Sequence, residues 1–100
     1  DTVDGVIGAE ATRLSAINVL AQMHAMLDGK WERVTRVVRL GGFIACVPTF
    51  TDHSKVMNGA SELIQAVFGE AGRHARTTIG VPSLPLDACC EVEALVEITP

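Results

Sequence analysis

The chain has no tyrosine, and its three phenylalanines and one tryptophan make aromatics only 4% of its residues. A platform for single-stranded nucleic acid needs aromatic faces interleaved with cations, and Trp31 is the only aromatic beside the basic series Arg33, Arg36 and Arg39. The net charge of −4 works against phosphate binding, which requires clustered positive charge. That series reads as the solvated flank of a strand and its preceding turn, and no nucleic-acid partner is expected. Long apolar runs are also missing. The longest uncharged stretch, Leu40 to Thr51, is broken by Gly41, Gly42 and Pro48 and is too short to span a bilayer, so no membrane partner is expected. The N-terminus shows no basic-then-apolar leader.

Cysteine is scarce. Cys46, Cys89 and Cys90 are odd in number and show no CxxC spacing, and neighbours such as Cys89 and Cys90 point to opposite faces of a strand and should not bridge. Small buried thiols in a reducing compartment fit this usage, and a cytoplasmic location is expected. His24, His53 and His74 share no metal-ligand spacing with one another or with the cysteines, so no metal and no cofactor is expected.

What is present suits one α+β domain over residues 1–100, with 48% hydrophobic and 20% charged residues. Asp1 to Gly8 reads as a leading loop. Ala9 to Leu27 has helical spacing, with an apolar stripe at Leu14, Ile17, Ala21, His24 and Leu27 widened by Leu20 and Met23, and Gly29 as its stop. His24, on that stripe, reads as a core or interface histidine. Lys30 to Val34 is a turn or short helical link. Thr35 to Val47 is rich in β-branched residues and reads as a strand, with Gly41-Gly42 marking either a bulge or a close backbone approach. Thr51 and Asp52 can cap a second helix that runs to about Phe68, with Val56, Ala60, Leu63, Ile64 and Val67 on its apolar face and Gly69 as its stop.

Two β-like runs close the chain, Thr77 to Val81 and Cys89 to Ile98. In the second, Cys90, Val92, Ala94, Val96 and Ile98 alternate with Glu91, Glu93, Leu95 and Glu97, giving one apolar and one largely acidic face. If these runs pair as antiparallel neighbours, Arg76 and Glu91 can face one shared pocket. The order helix, strand, helix, strand, strand leaves a narrow sheet under two helices. The sheet is therefore expected to be completed by an N-terminal segment, another chain or oligomer contacts.

The stretch ARTTIGVPSLPLDACCEVEALVEI, residues 75–98, resembles the C-terminal signature of the YjgF-like family, also called the Rid or reactive-intermediate deaminase family. RVTRVVRLGGFIACVPTFTDHSKVMNGASELIQAVFGEAGRHAR resembles the middle of its members. TDHSKVMNGAS and FGEAGRHAR resemble the longer branch labelled as a chorismate-mutase-like endoribonuclease. The resemblance covers the chain from about Glu10 onward. It implies a mixed sheet with two helices on one face, three copies joined around a central barrel, and ligand clefts between subunits. Members usually carry a hairpin and a further strand ahead of the first helix. The resemblance thus implies that those strands are missing, through shortening or cleavage, or are supplied as a separate N-terminal fragment.

The family's carboxylate-holding arginine falls on Arg76, whose guanidinium fork suits two parallel hydrogen bonds. Its water-positioning acid falls on Glu91, its cleft asparagine on Asn58, and its cleft wall on Phe43 with Gly42. Where the deaminase branch commonly has cysteine, this chain has Thr78, whose hydroxyl can still donate to a carboxylate or a water. His74, near Arg76, is a further candidate for the cleft. The resemblance implies hydrolysis of small 2-imino or 2-enamino carboxylates with release of ammonia, with Glu91 and Thr78 catalytic and Arg76, Asn58, Phe43 and Gly42 binding substrate. The alternative is a non-catalytic trimeric module for small carboxylates or a protein partner. The acidic balance disfavours a ribonuclease.

Overall fold

In the computed structural model, which describes residues 5–100, the chain runs α1 (Gly5–Met26), β1 (Val34–Ala45), α2 (His53–Phe68), β2 (Ala75–Val81) and β3 (Cys90–Ile98), with a short 3-10 turn in every link except that from β1 to α2. The leading loop expected over Asp1 to Gly8 is helical from Gly5 on, and Asp1 to Asp4 lie outside the described residues. A glycine of positive φ follows each helix, Gly29 (φ 74°) three residues past α1 and Gly69 (φ 61°) directly after α2. Asp52 precedes α2 as expected, but its side chain makes no capping hydrogen bond.

The sheet has three strands in the order β2-β1-β3. β1 pairs parallel with β2, from Arg39↔Ala75 to Ala45↔Val81, and antiparallel with β3, from Val34↔Ile98 to Ile44↔Cys90. The two C-terminal runs are therefore not neighbours, because β1 lies between them. Alternating side chains dictate which face a strand buries, not which strand it pairs with. The crossover through α2 brings β2 to one edge of β1 and leaves the other edge for β3. Among the described residues, the outer edges of β2 and β3 have no strand beside them.

The register shifts of β1 fall between Val34 and Arg36 and between Val37 and Arg39, not at Gly41-Gly42. Of the two readings of the glycine pair, the close approach holds. A Cβ on Gly41 would stand 2.6 Å from Glu93 Oε1, and one on Gly42 would meet Met57 Sδ. Consecutive residues point to opposite faces, so Met57 of α2 marks the helix-covered face and Glu93 marks the open one.

The core lies between sheet and helices, around Ala16, Val37, Leu40, Met57, Ala60 and Ile64. Of the expected stripe, Met23 and, just past the end of α1, Leu27 are buried, but Leu14 is 62% exposed and Ile17 40%, and the inner line is carried instead by Thr12 and Ala16. α1 is apolar or small nearly all round, so helical spacing fits more than one face. The face that wins carries small residues against Gly59 and Ala60 of α2. There Thr12 Oγ1 donates to the Val56 carbonyl at 2.6 Å and accepts from the Ala60 N–H at 3.2 Å. His24 is exposed rather than in the core, its ring 5.7 Å from that of Trp31. Among the described residues no helix is long and apolar enough to cross a membrane.

Candidate functional site

The parity of β2 decides what it shows to α2. Arg76 stands opposite Leu40 and Thr78 opposite Gly42, both of which face the helices, so Arg76, Thr78 and Gly80 form a row toward α2. Arg76 is half-buried in that row and tied to the helix twice. Its Nη1 donates to Ser61 Oγ at 3.0 Å and its Nη2 donates to the Ser54 carbonyl at 3.1 Å. Ser61 is itself buried and shares a hydrogen bond of 2.9 Å with His74 Nε2. His74 Nδ1 lies 2.6 Å from the Gly72 carbonyl.

A carbonyl only accepts, so the imidazole proton sits on Nδ1 and Nε2 accepts from the Ser61 hydroxyl. Ser61 Oγ is then free to accept from Arg76, and one consistent chain of donors runs from the guanidinium to the backbone. This chain holds the arginine in a single posture on one side, and its other N–H groups have no partner among the described residues. Arg36, Arg39 and Arg73 each have a carboxylate within 4 Å, whereas among the described residues Arg76 has none.

Asn58 lies on α2 four residues after Ser54 and three before Ser61, spacings that place it on their stripe beside the guanidinium, and it is exposed. The Thr78 hydroxyl is buried, and its Oγ1 has no hydrogen-bond partner among the described residues. Gly42 lies under the Met57 thioether, which fills the space above it.

The remaining expected residues are elsewhere. Phe43 and Glu91 pair with each other across β1 and β3, one step out of phase with Gly42, and face the open side of the sheet. Within one chain Arg76 and Glu91 therefore do not share a pocket, because the sheet itself separates them. Glu91 still differs from its neighbours. Glu93 lies 3.6 Å from Arg39 and Glu97 lies 3.8 Å from Arg36, while among the described residues Glu91 has no cation partner.

The partners of Arg76 on α2, Ser54 and Ser61, carry no sequence signal, since a serine in a helix is commonplace until the strand that meets it is known. His74 stood out by its nearness to Arg76, and the structure gives it a place behind the arginine through Ser61. No group of three or more His, Cys, Asp or Glu able to hold a metal ion occurs among the described residues.

Residues 2–98 match the family described as "YjgF/chorismate_mutase-like, putative endoribonuclease". Protein TCP17 of Trypanosoma cruzi is 52% identical over 92 residues, an alignment that covers 91% of this chain and 57% of that protein. Among solved structures, the Agrobacterium tumefaciens protein Atu1372, of unknown function, superposes with a TM-score of 0.95 at 47% identity, over 98% of this chain and 62% of that one. A "putative endoribonuclease" from Shewanella oneidensis MR-1 superposes at 0.91 with 33% identity, over 96% of this chain and 63% of that one. The chain thus spans less than two thirds of the length of each of these relatives.

Proposed function

The chain belongs to the YjgF/chorismate-mutase-like family, and from that premise we propose that it forms part of a hydrolase for small 2-imino or 2-enamino carboxylates. One observation carries this reading. Arg76 is held on one side by Ser61 and Ser54, has no carboxylate partner among the described residues, and keeps donors free for an incoming carboxylate. A fixed guanidinium binds a carboxylate through two parallel bonds and orients the carbon next to it.

An enamine first takes a proton at its β-carbon and loses one from nitrogen to become the imine. Water then adds to the C=N carbon while a general base takes its proton. The tetrahedral adduct then collapses as a proton reaches nitrogen, ammonia leaves and a 2-oxo acid remains. Glu91 is the base in this scheme. Because it faces away from the Arg76 of its own chain, each cleft takes Arg76 from one copy and Glu91 from another, in a trimer. Thr78, next in the Arg76 row, has a buried hydroxyl with no partner among the described residues, and donates it to a water enclosed beneath the bound substrate.

The test is ammonia release from 2-aminoacrylate-type compounds. Arg76→Ala is expected to lower kcat/KM about 30- to 100-fold, the worth of a charge-assisted pair. Mixing Arg76→Ala chains with Glu91→Gln chains is expected to restore part of the rate, because some clefts then contain both native residues. Full activity in Arg76→Ala sinks the reading. Binding of 2-oxo acids through Arg76 with no turnover of any imine assigns the chain to the non-catalytic alternative.

A further inference from the structure

A second group of reactive side chains lies at the far end of the same strands, and the hydrolysis does not use it. Cys46 follows β1, His53 opens α2, and their side chains meet with Sγ 3.5 Å from Nε2. Both stand over Gly80 of β2, where a Cβ would lie 2.6 Å from His53 Nε2 and 2.7 Å from Cys46 Sγ. The absent side chain at Gly80 is what lets thiol and imidazole come together. The ring of Phe50 meets that of His53 edge-on, with centroids 5.2 Å apart, and restrains the tilt of the imidazole.

The pair opens into a cavity of about 380 Å³ whose walls include Val47, Pro48, Phe50, Val81 and Pro82. Arg76 is not part of that lining, and it contains no charged side chain besides His53 when protonated. Such walls disfavour a 2-oxo acid or any other ion, because taking an unpaired charge out of water is costly. They suit a small apolar molecule. A thiol within reach of an imidazole is a nucleophile with its base.

We propose that Cys46 is the nucleophile of a second site, which captures small apolar α,β-unsaturated carbonyl compounds as thioether adducts with His53 as base. His53, protonated at Nδ1, accepts the thiol proton at Nε2. The sulfur lone pair forms a C–S bond to the β-carbon while the C=C π pair moves toward the carbonyl as an enolate. The proton held on Nε2 then passes to the α-carbon. One S–H and one C=C π bond are lost, one C–S and one C–H bond are gained, nothing leaves and no oxidant is required. The other two thiols serve as internal references. Cys89 is exposed, and Cys90 is half-buried with its Sγ 3.5 Å from Ser15 Oγ.

The test is competitive labelling of the folded chain by limiting N-ethylmaleimide and by crotonaldehyde, with each cysteine followed by peptide mass spectrometry. Cys46 is expected to react at least about tenfold faster than the more exposed Cys89, within the range a positioned base supplies. His53→Ala is expected to bring Cys46 down to the Cys89 rate or below without changing Cys89, and free imidazole to return part of the loss. Gly80→Ala, which wedges a methyl group between the two side chains, is expected to do the same with no change at His53. The proposal is overturned if Cys89 reacts as fast as Cys46 in the native chain, a result that needs no variant to fold. It is equally overturned if folded His53→Ala, checked by circular dichroism, keeps the native Cys46-to-Cys89 ratio.

Discussion

Thr78 buries a hydroxyl that, among the described residues, makes no hydrogen bond, in a row with an arginine that has no anion among them. An unpaired buried donor costs about 1–3 kcal/mol, so Thr78→Val, close in shape, is expected to leave stability unchanged or raise it by up to about 1 kcal/mol. If the hydroxyl serves the substrate or its water, the same change lowers kcat/KM for ammonia release. Urea unfolding and turnover measured on one preparation separate the two effects, and a clear loss of stability would mean that the hydroxyl is paired. Cys90 gives a second prediction. Burial pushes its thiol up, Cys89 and Glu91 add to this, and the Ser15 hydrogen bond opposes it. The folded chain therefore keeps this proton at a pH where the unfolded chain has lost it. The resulting stability is complete below the unfolded thiol's range, about 8.5, and is lost as pH rises through the folded value. Tm is expected to fall above that range in the native chain, and to fall less steeply in Cys90→Val.

At the scale of elements, the boundaries were the most legible part of the sequence, because Gly29, Gly69 and the proline after β1 are local signals. Faces and neighbours were less so. α1 is apolar almost all round, and only the need for close approach to α2 picks out Thr12 and Ala16 as its inner line. The alternation of β3 marked an acidic face correctly, yet nothing in it said that β1 would stand between it and β2. For the same reason Arg76 was legible as a lone cation in a motif, while its hold on Ser54 and Ser61 was not, since those contacts span 22 and 15 residues of chain. The helix crossing is testable. Thr12→Val deletes a hydroxyl shared between the Val56 carbonyl and the Ala60 N–H, and is expected to cost about 1–2 kcal/mol in urea unfolding. Gly59→Ala is expected to cost more, because its methyl group meets the Ala9 carbonyl, a backbone group that cannot swing aside.

For the whole molecule, the unfinished feature is the sheet. Its open face carries Phe43, Ile79 and Leu95 among carboxylates, and Leu95 is 59% exposed. In the proposed trimer this face turns inward. Leu95→Asp is then expected to reduce the mass measured by light scattering from that of three copies to one, and an unchanged mass would remove Leu95 from the contact. The outer margins of β2 and β3, which have no strand beside them among the described residues, carry a different consequence. A strand margin recognises the peptide groups of whatever aligns with it and is largely indifferent to that neighbour's side chains. Charge substitutions along β3 should thus alter how fast an adjoining strand arrives more than whether it stays. One proline, which removes a donor from the ladder, should decide the matter by itself.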